Sequence, residues 1–342
     1  MKATVFISGL LLSGFVSAHH SAVGIYDFGD VKEVTGTVKS ISWRNPHGRI
    51  ELEVAEEGGG VAQWRVEMLS SGVLRNSGVD IAPISEGDVI TVAGSPSKRN
   101  KPEMSARSIL LASGEEFAFL SKVPHFQAGK NGNLIGGGFK QVEIEKAIAS
   151  ADGFFRVWST IMSDPAAFPM FKGGYPLTEA AKVAVEKWDP LNNALLQCGN
   201  KGMPLIMITP LPIDFTLMGD EILMRIEEYD VRRVIHMAED AVAPADEYTQ
   251  FGFSRGHWEG TTLVVETDHI QAQYFDPEGV PQSKEMVTVE RFMPNAAYDR
   301  MDYTINITDP QYFSASFDLT RYFVWLPAMV VKPYECLERD FQ

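Results

Sequence analysis

Two β-barrels in succession are the fold this sequence predicts. It is a mainly β chain: an OB-like five-stranded barrel, a helical connector, then a larger antiparallel up-and-down barrel. Three observations predict it. Alternation of apolar and polar residues, the signature of strands, dominates both halves. Short glycine turns separate the alternating runs, as at Gly58-Gly59-Gly60 and Met218-Gly219-Asp220. Helical spacing is confined to "SSGVLRNSG", "QVEIEKAIAS" and "PLTEAAKVAVEKW".

Residues 1–18 come first. Lys2 gives a basic start, Val5–Val16 is apolar but too short to span a bilayer, and Val16-Ser17-Ala18 has the small-x-small pattern of a cleavage site. The expectation is a signal peptide removed after Ala18 and a periplasmic or secreted product. No integral membrane segment is expected after processing. Cleavage removes Lys2 and no acid, so the formal charge moves from −15 to −16. Such a chain repels nucleic acid and anionic lipid, which leaves a small molecule as the expected partner.

Residues 19–113 form the OB-like domain. "VKEVTGTVKSISW", "GRIELEV", "AQWRVEM", "EGDVITVAGSP" and "EMSARSILLAS" read as five strands. "SSGVLRNSG", capped by Ser70 or Ser71, is a short helix between the third and fourth. Three strands, a helix and two strands match the OB order.

Residues 114–200 form the connector, with two helices and the glycine-rich "GKNGNLIGGGFK". Thr178 is the expected N-cap of the second helix, and Pro190 follows its end. Residues 201–342 hold eight or nine strands, from "IDFTLMG" to "VVKPYECLE". Ile222, Met224 and Ile226 share one face, as do Met301, Tyr303, Ile305 and Ile307. A closed barrel of this strand number can hold one small ligand.

The cysteines are Cys198 and Cys336. In an exported chain a single pair is expected to be a disulfide. In the chain-entropy model a bond closing so long a loop is worth roughly 4–5 kcal/mol.

"AHHS" followed by "GTV" and Asn45-Pro46-His47 resembles a large family of exported bacterial proteins with no assigned activity. The later runs "PLTEAA", "WDP", "GMP", "EEYDVRRVIHM", "GFSRGHWEGTTLVVET" and "YEC" resemble its longer members. The resemblance implies export and the two-part β fold, and no mechanism. His257 departs from the pattern, which has a basic residue before "WEG".

Three constellations could carry chemistry. His19, His20 and His47 form the first. Cleavage after Ala18 gives His19 a free amine, and an amine with imidazoles suits copper. One Cu(II) bound through His19 with His20 or His47 is the expectation. "EEYDVRRVIHM" is the second. Glu228 and Arg232 are read as ligand-binding, and Asp230 and His236, with His257, as an acid/base set. A salt-bridged outer face is the plainer reading of that run. "SRGHWEGTTLVVETDH" is the third, with Ser254, Trp258 and Glu259 as ligand contacts. It lacks the strand–turn–helix setting of a nucleophile elbow. These readings leave two functions: a periplasmic binding protein for a small, partly apolar molecule, or an exported hydrolase or isomerase. No phosphate loop or dinucleotide fingerprint appears, so no nucleotide cofactor is expected.

Overall fold

The computed structural model describes residues 25–336 apart from 46, 57, 77–83, 120–123, 127–129, 132–140, 162–163, 165, 168–169, 190–197 and 335. The apolar leader, His19, His20 and most of the glycine-rich run lie outside the described residues.

The first barrel is built as the alternation requires. Its strands are β1 (Lys32–Ser42), β2 (Arg49–Ala55), β3 (Val61–Glu67), β4 (Val89–Pro96) and β5 (Glu103–Leu111). They follow the order β3-β2-β1-β4-β5, and a parallel β3–β5 pairing closes the ring. Val34, Val38, Ile50, Leu52, Val66, Ile90, Val92 and Ile109 fill it. Gly94 sits where β4 bends against β5. A Cβ there would stand 2.6 Å from the Ser105 carbonyl oxygen, so only glycine fits. Helix α1 (Ser71–Asn76) lies between β3 and β4, and Ser70 Oγ accepts from Val73 N at 3.1 Å. β6 (Glu115–Ala118) and β7 (Lys130–Asn131) extend the sheet from β5.

The connector carries α2 (Gln141–Ala149) and α3 (Glu179–Glu186). Thr178 caps α3 through Ala181 N at 3.3 Å. The connector also supplies a strand to the second barrel, β8 (Val157–Ser159).

That barrel closes with β9 (Ile213–Met218), β10 (Glu221–Ile226), β11 (Val231–His236), β12 (Phe253–Glu259), β13 (Thr262–Asp268), β14 (Val287–Pro294), β15 (Arg300–Thr308) and β16 (Phe317–Trp325). The ring has nine strands, and β16 pairs with β8. Two details correct the sequence reading. "VVKPYECLE" forms no strand among its described residues; Cys336 makes only a bridge to Asn45. The ring is also not wholly antiparallel. An odd number of strands cannot alternate direction around a closed ring, so one neighbouring pair must be parallel. That pair is β11–β12, with only Ile235↔Ser254 and His236↔Arg255 in register. Residues 237–252 loop out from the end of β11 and return so that β12 starts beside its last two residues and runs on in the same direction.

Arg233 crosses this thin seam. It is buried on β11, and Nε donates to Ser254 Oγ on β12 at 2.9 Å. Nη2 donates to Thr267 Oγ1 on β13 at 2.6 Å, and Nη1 to Glu290 Oε1 on β14 at 3.1 Å. Tyr303 Oη on β15 donates to the same carboxylate at 2.8 Å. One guanidinium thus joins the seam to the three strands beyond it.

The two barrels meet at a corner with an apolar cluster at its centre. Leu69 and Val73 pack with Leu211, Tyr229, Tyr334 and Cys336. Asn45 donates to the Tyr334 carbonyl. The Cys198–Cys336 disulfide pins this tail across 138 residues. It fits an oxidising compartment. Among the described residues no helix is long and apolar enough to cross a membrane.

Removing Arg233 leaves Glu290 buried without its cation. Arg233→Ala is expected to cost roughly 3–5 kcal/mol in urea unfolding. The double change Arg233→Met, Glu290→Leu should cost less than Arg233→Ala alone. A double variant that is the less stable of the two contradicts this account of the seam.

Candidate functional site

The two ends of the large barrel are built differently. One end, where β15 finishes and β16 begins, is sealed. Phe275 packs on Phe313 at 4.9 Å and on Phe171 at 5.2 Å, and Tyr175 stacks on Phe317 at 5.4 Å. The buried turn Leu205–Ile208 lies beneath. Arg321 on β16 donates to the Met207 carbonyl at 2.7 Å and the Thr209 carbonyl at 3.1 Å. Burial holds its pKa down to about 9. Asp276 accepts from Glu278 N and Val280 N, both at 3.0 Å, which fixes the loop carrying Phe275.

The opposite end is open and apolar. Leu217 pairs with the buried Ile222, so it stands on the inward face, yet it is 56% exposed. Trp258 shares the inward face of β12 with Ser254 and is 39% exposed. Phe154 lies below Trp258 at 5.0 Å and half-buried Phe155 beside it at 6.2 Å. From there an aromatic column descends: Phe154 to Phe215 at 4.8 Å, Phe215 to Phe292 at 5.3 Å, Phe292 to Tyr303 at 4.9 Å. It ends on the buried Glu290–Arg233 pair. Burial, reinforced by Glu290, holds the Tyr303 phenol well above its ordinary pKa, so it stays protonated as a donor. The wall is apolar and its floor is polar.

The turn 152–156 lies over this end. Arg156 donates from Nε to the Gly153 carbonyl at 2.6 Å and from Nη1 to the Tyr298 carbonyl at 2.9 Å. Its guanidinium lies 4.2 Å from the Trp325 ring centroid.

The residues singled out in the sequence fall into separate places. Trp258 rims the open end. Ser254 faces inward but is committed to Arg233 and Thr267. Arg232 points outward and is exposed, whereas its neighbour Arg233 is buried. The bend at Glu228–Asp230 resets the alternation, because Tyr229 and Asp230 take positive φ angles of 59° and 52°. Glu228 is buried against Lys201 at 2.6 Å. Asp230 accepts from Tyr334 N at 3.1 Å, and Glu227 from Lys332 N at 3.0 Å. "EEYD" therefore clamps the C-terminal tail at the corner between the barrels.

Asp230 and His236 stand at opposite ends of β11, about 20 Å apart along the strand. They cannot serve one reacting atom. His236 pairs with Glu221 at 3.0 Å and stacks on Phe253. His257 is exposed and lies 3.4 Å from Glu259, which also binds Arg291. Arg291, with help from His257, holds the Glu259 carboxyl below its usual range. These residues, with Arg255 on Asp268 and Glu266, form a charged outer stripe.

His47 Nδ1 stands 3.6 Å from Glu67 Oε1. Among the described residues no group of three or more His, Cys, Asp or Glu could hold a metal.

Sequence reasoning missed Leu217, Phe154, Phe155 and Arg156 at the open end. Leu217 could have been found, since it alternates in step with Ile213 and Phe215. The turn 152–156 carries no periodicity that would place it.

Residues 10–104 match a family of unknown function, DUF6152. The match covers less than a third of the chain and brings no activity with it. No curated protein matches the chain.

At the sealed end, burial raises Asp276 from 3.8 to about 7. Between these values the unfolded chain releases a proton that the folded chain keeps. Stability is therefore expected to fall as pH rises from about 4 to about 7 and then to level off. Asp276→Asn should remove that decline in urea midpoints measured across the range. An unchanged slope in the variant contradicts the assignment.

Proposed function

We propose that this chain is exported behind a cleaved leader and binds a small, partly apolar molecule at the open end of its larger barrel. The observation that carries the reading is the exposure of Leu217 and Trp258 on the inward face, above a buried aromatic column. Apolar side chains that point into a barrel yet stay partly exposed above its core are what a ligand site requires. The sealed opposite end directs occupancy to one mouth. The acid/base reading is weaker, because the residues it needs lie on the outer stripe and at the domain corner.

Native mass spectrometry of protein purified from the periplasm tests the proposal. A small-molecule adduct is expected on the wild type, and Trp258→Ala or Leu217→Ser should lose it while keeping the fold. An adduct that survives both changes would place the ligand elsewhere.

A second reading concerns copper, and one observation favours it. Ile25 and Tyr26 dock on the small barrel, where Tyr26 bridges to Ser97. Tyr26 Oη reaches Glu67 Oε2 at 3.3 Å, and His47 lies against the same carboxylate. His20 stands six residues before Tyr26. At most roughly 20 Å of extended chain separates them, within reach of His47. We propose that the processed chain binds one Cu(II) through the His19 amine and imidazole with His20 or His47. A methionine placed before His19 should abolish high-affinity binding in a Cu(II) titration. Equal affinity in both forms overturns the site.

A further inference from the structure

We infer that the molecule held at the open end is an amphipathic anion, an apolar body bearing one carboxylate or similar acidic group, and that Arg156 receives the charge. This rests on the open end being the binding site.

Arg156 follows directly on Phe155, which packs beside Trp258 at the mouth. Its guanidinium lies between Trp325 at 4.2 Å and Tyr298 at 5.6 Å. Two of its donors go to main-chain carbonyls, at Gly153 and Tyr298. Nη2 has no partner among the described residues. Nor does any described carboxylate stand within ion-pair distance of Arg156; Asp152 acts on it only at longer range.

Its neighbours differ. Arg300 at the same end pairs with Asp302 at 2.7 Å, and Arg291 pairs with Glu259. Arg225 and Arg255 on the barrel wall also hold carboxylates. Arg107 likewise binds main-chain carbonyls with no described carboxylate in an ion pair, Arg321 binds main-chain carbonyls too, and Arg156 differs from both in standing at the mouth. Desolvation already costs this cation, as its lowered pKa direction shows. Stacking and two carbonyls orient the fork but leave its charge unneutralised. A ligand carboxylate would supply the missing anion through a charge-assisted hydrogen bond to the free Nη2. Leu217, Phe155 and Trp258 would take the apolar body.

The test compares two probes of the same shape, 1-naphthaleneacetate and 1-naphthaleneethanol, by isothermal titration calorimetry on the full processed protein. The acid is expected to bind about tenfold more tightly than the alcohol, the low end of a hydrogen bond to a charged group. Added salt should narrow the gap. Arg156→Gln should remove the preference for the acid over the alcohol, and Arg156→Lys should keep part of it. If the wild type binds the alcohol as tightly as the acid, and Trp258→Ala weakens both, the mouth is a site but the inference fails. If neither probe binds in a Trp258-dependent way, the site itself is wrong and the inference falls with it.

Discussion

A ring of nine strands cannot close with every neighbour antiparallel, and the larger barrel is organised around that constraint. Its single parallel seam, β11–β12, has two register pairs where the antiparallel neighbours β12–β13 have seven. Main-chain pairing is therefore as short there as where the three-residue β8 joins β16 and β9, and at the parallel seam a buried side-chain network spans the gap. Arg233 reaches Ser254, Thr267 and Glu290, and Tyr303 completes the carboxylate. Burying an ion pair brings little net stability over apolar residues of the same volume, so its value here is to fix which strands meet. The same network forms the polar floor under the aromatic column. The constraint that closes the barrel thus also sets the chemistry beneath its open end.

The second organising contact is the corner between the barrels. Glu227 and Asp230 accept main-chain N–H groups of the C-terminal tail, Glu228 neutralises buried Lys201, and the disulfide ties the tail to the connector. Burial pushes the Lys201 pKa down, and Glu228 opposes that push. A dense run of charge in the sequence is here a mechanical joint. It lies at the far end of β11 from the open mouth, and its acids hold structure together there.

Much of the fold was legible because alternation is a local signal. Met301, Tyr303, Ile305 and Ile307 are all buried on one face, as their spacing requires. The OB order was legible from three strands, a helix and two strands. Other features were not, for physical reasons. The parallel seam depends on strand number, which depends on β8, a three-residue strand hidden in the connector. Arg232 and Arg233 exchange roles because left-handed residues at Tyr229 and Asp230 shift the phase before β11 begins. The turn 152–156 owes its place to packing against Trp258, Tyr298 and Trp325, which are distant in sequence. Of the residues read as a site, Trp258 alone combines an inward face with exposure at the mouth.

The central claim is that the open end of the larger barrel, and no other surface, receives a small apolar ligand. Methyl and indole NMR spectra recorded with 1-naphthaleneethanol address it directly. The account predicts that the Trp258 indole and Leu217 methyl signals move together, while Ile50 and Leu52 in the small barrel stay fixed. Shifts centred on the small barrel or the outer charged stripe, with Trp258 and Leu217 unmoved, would contradict it.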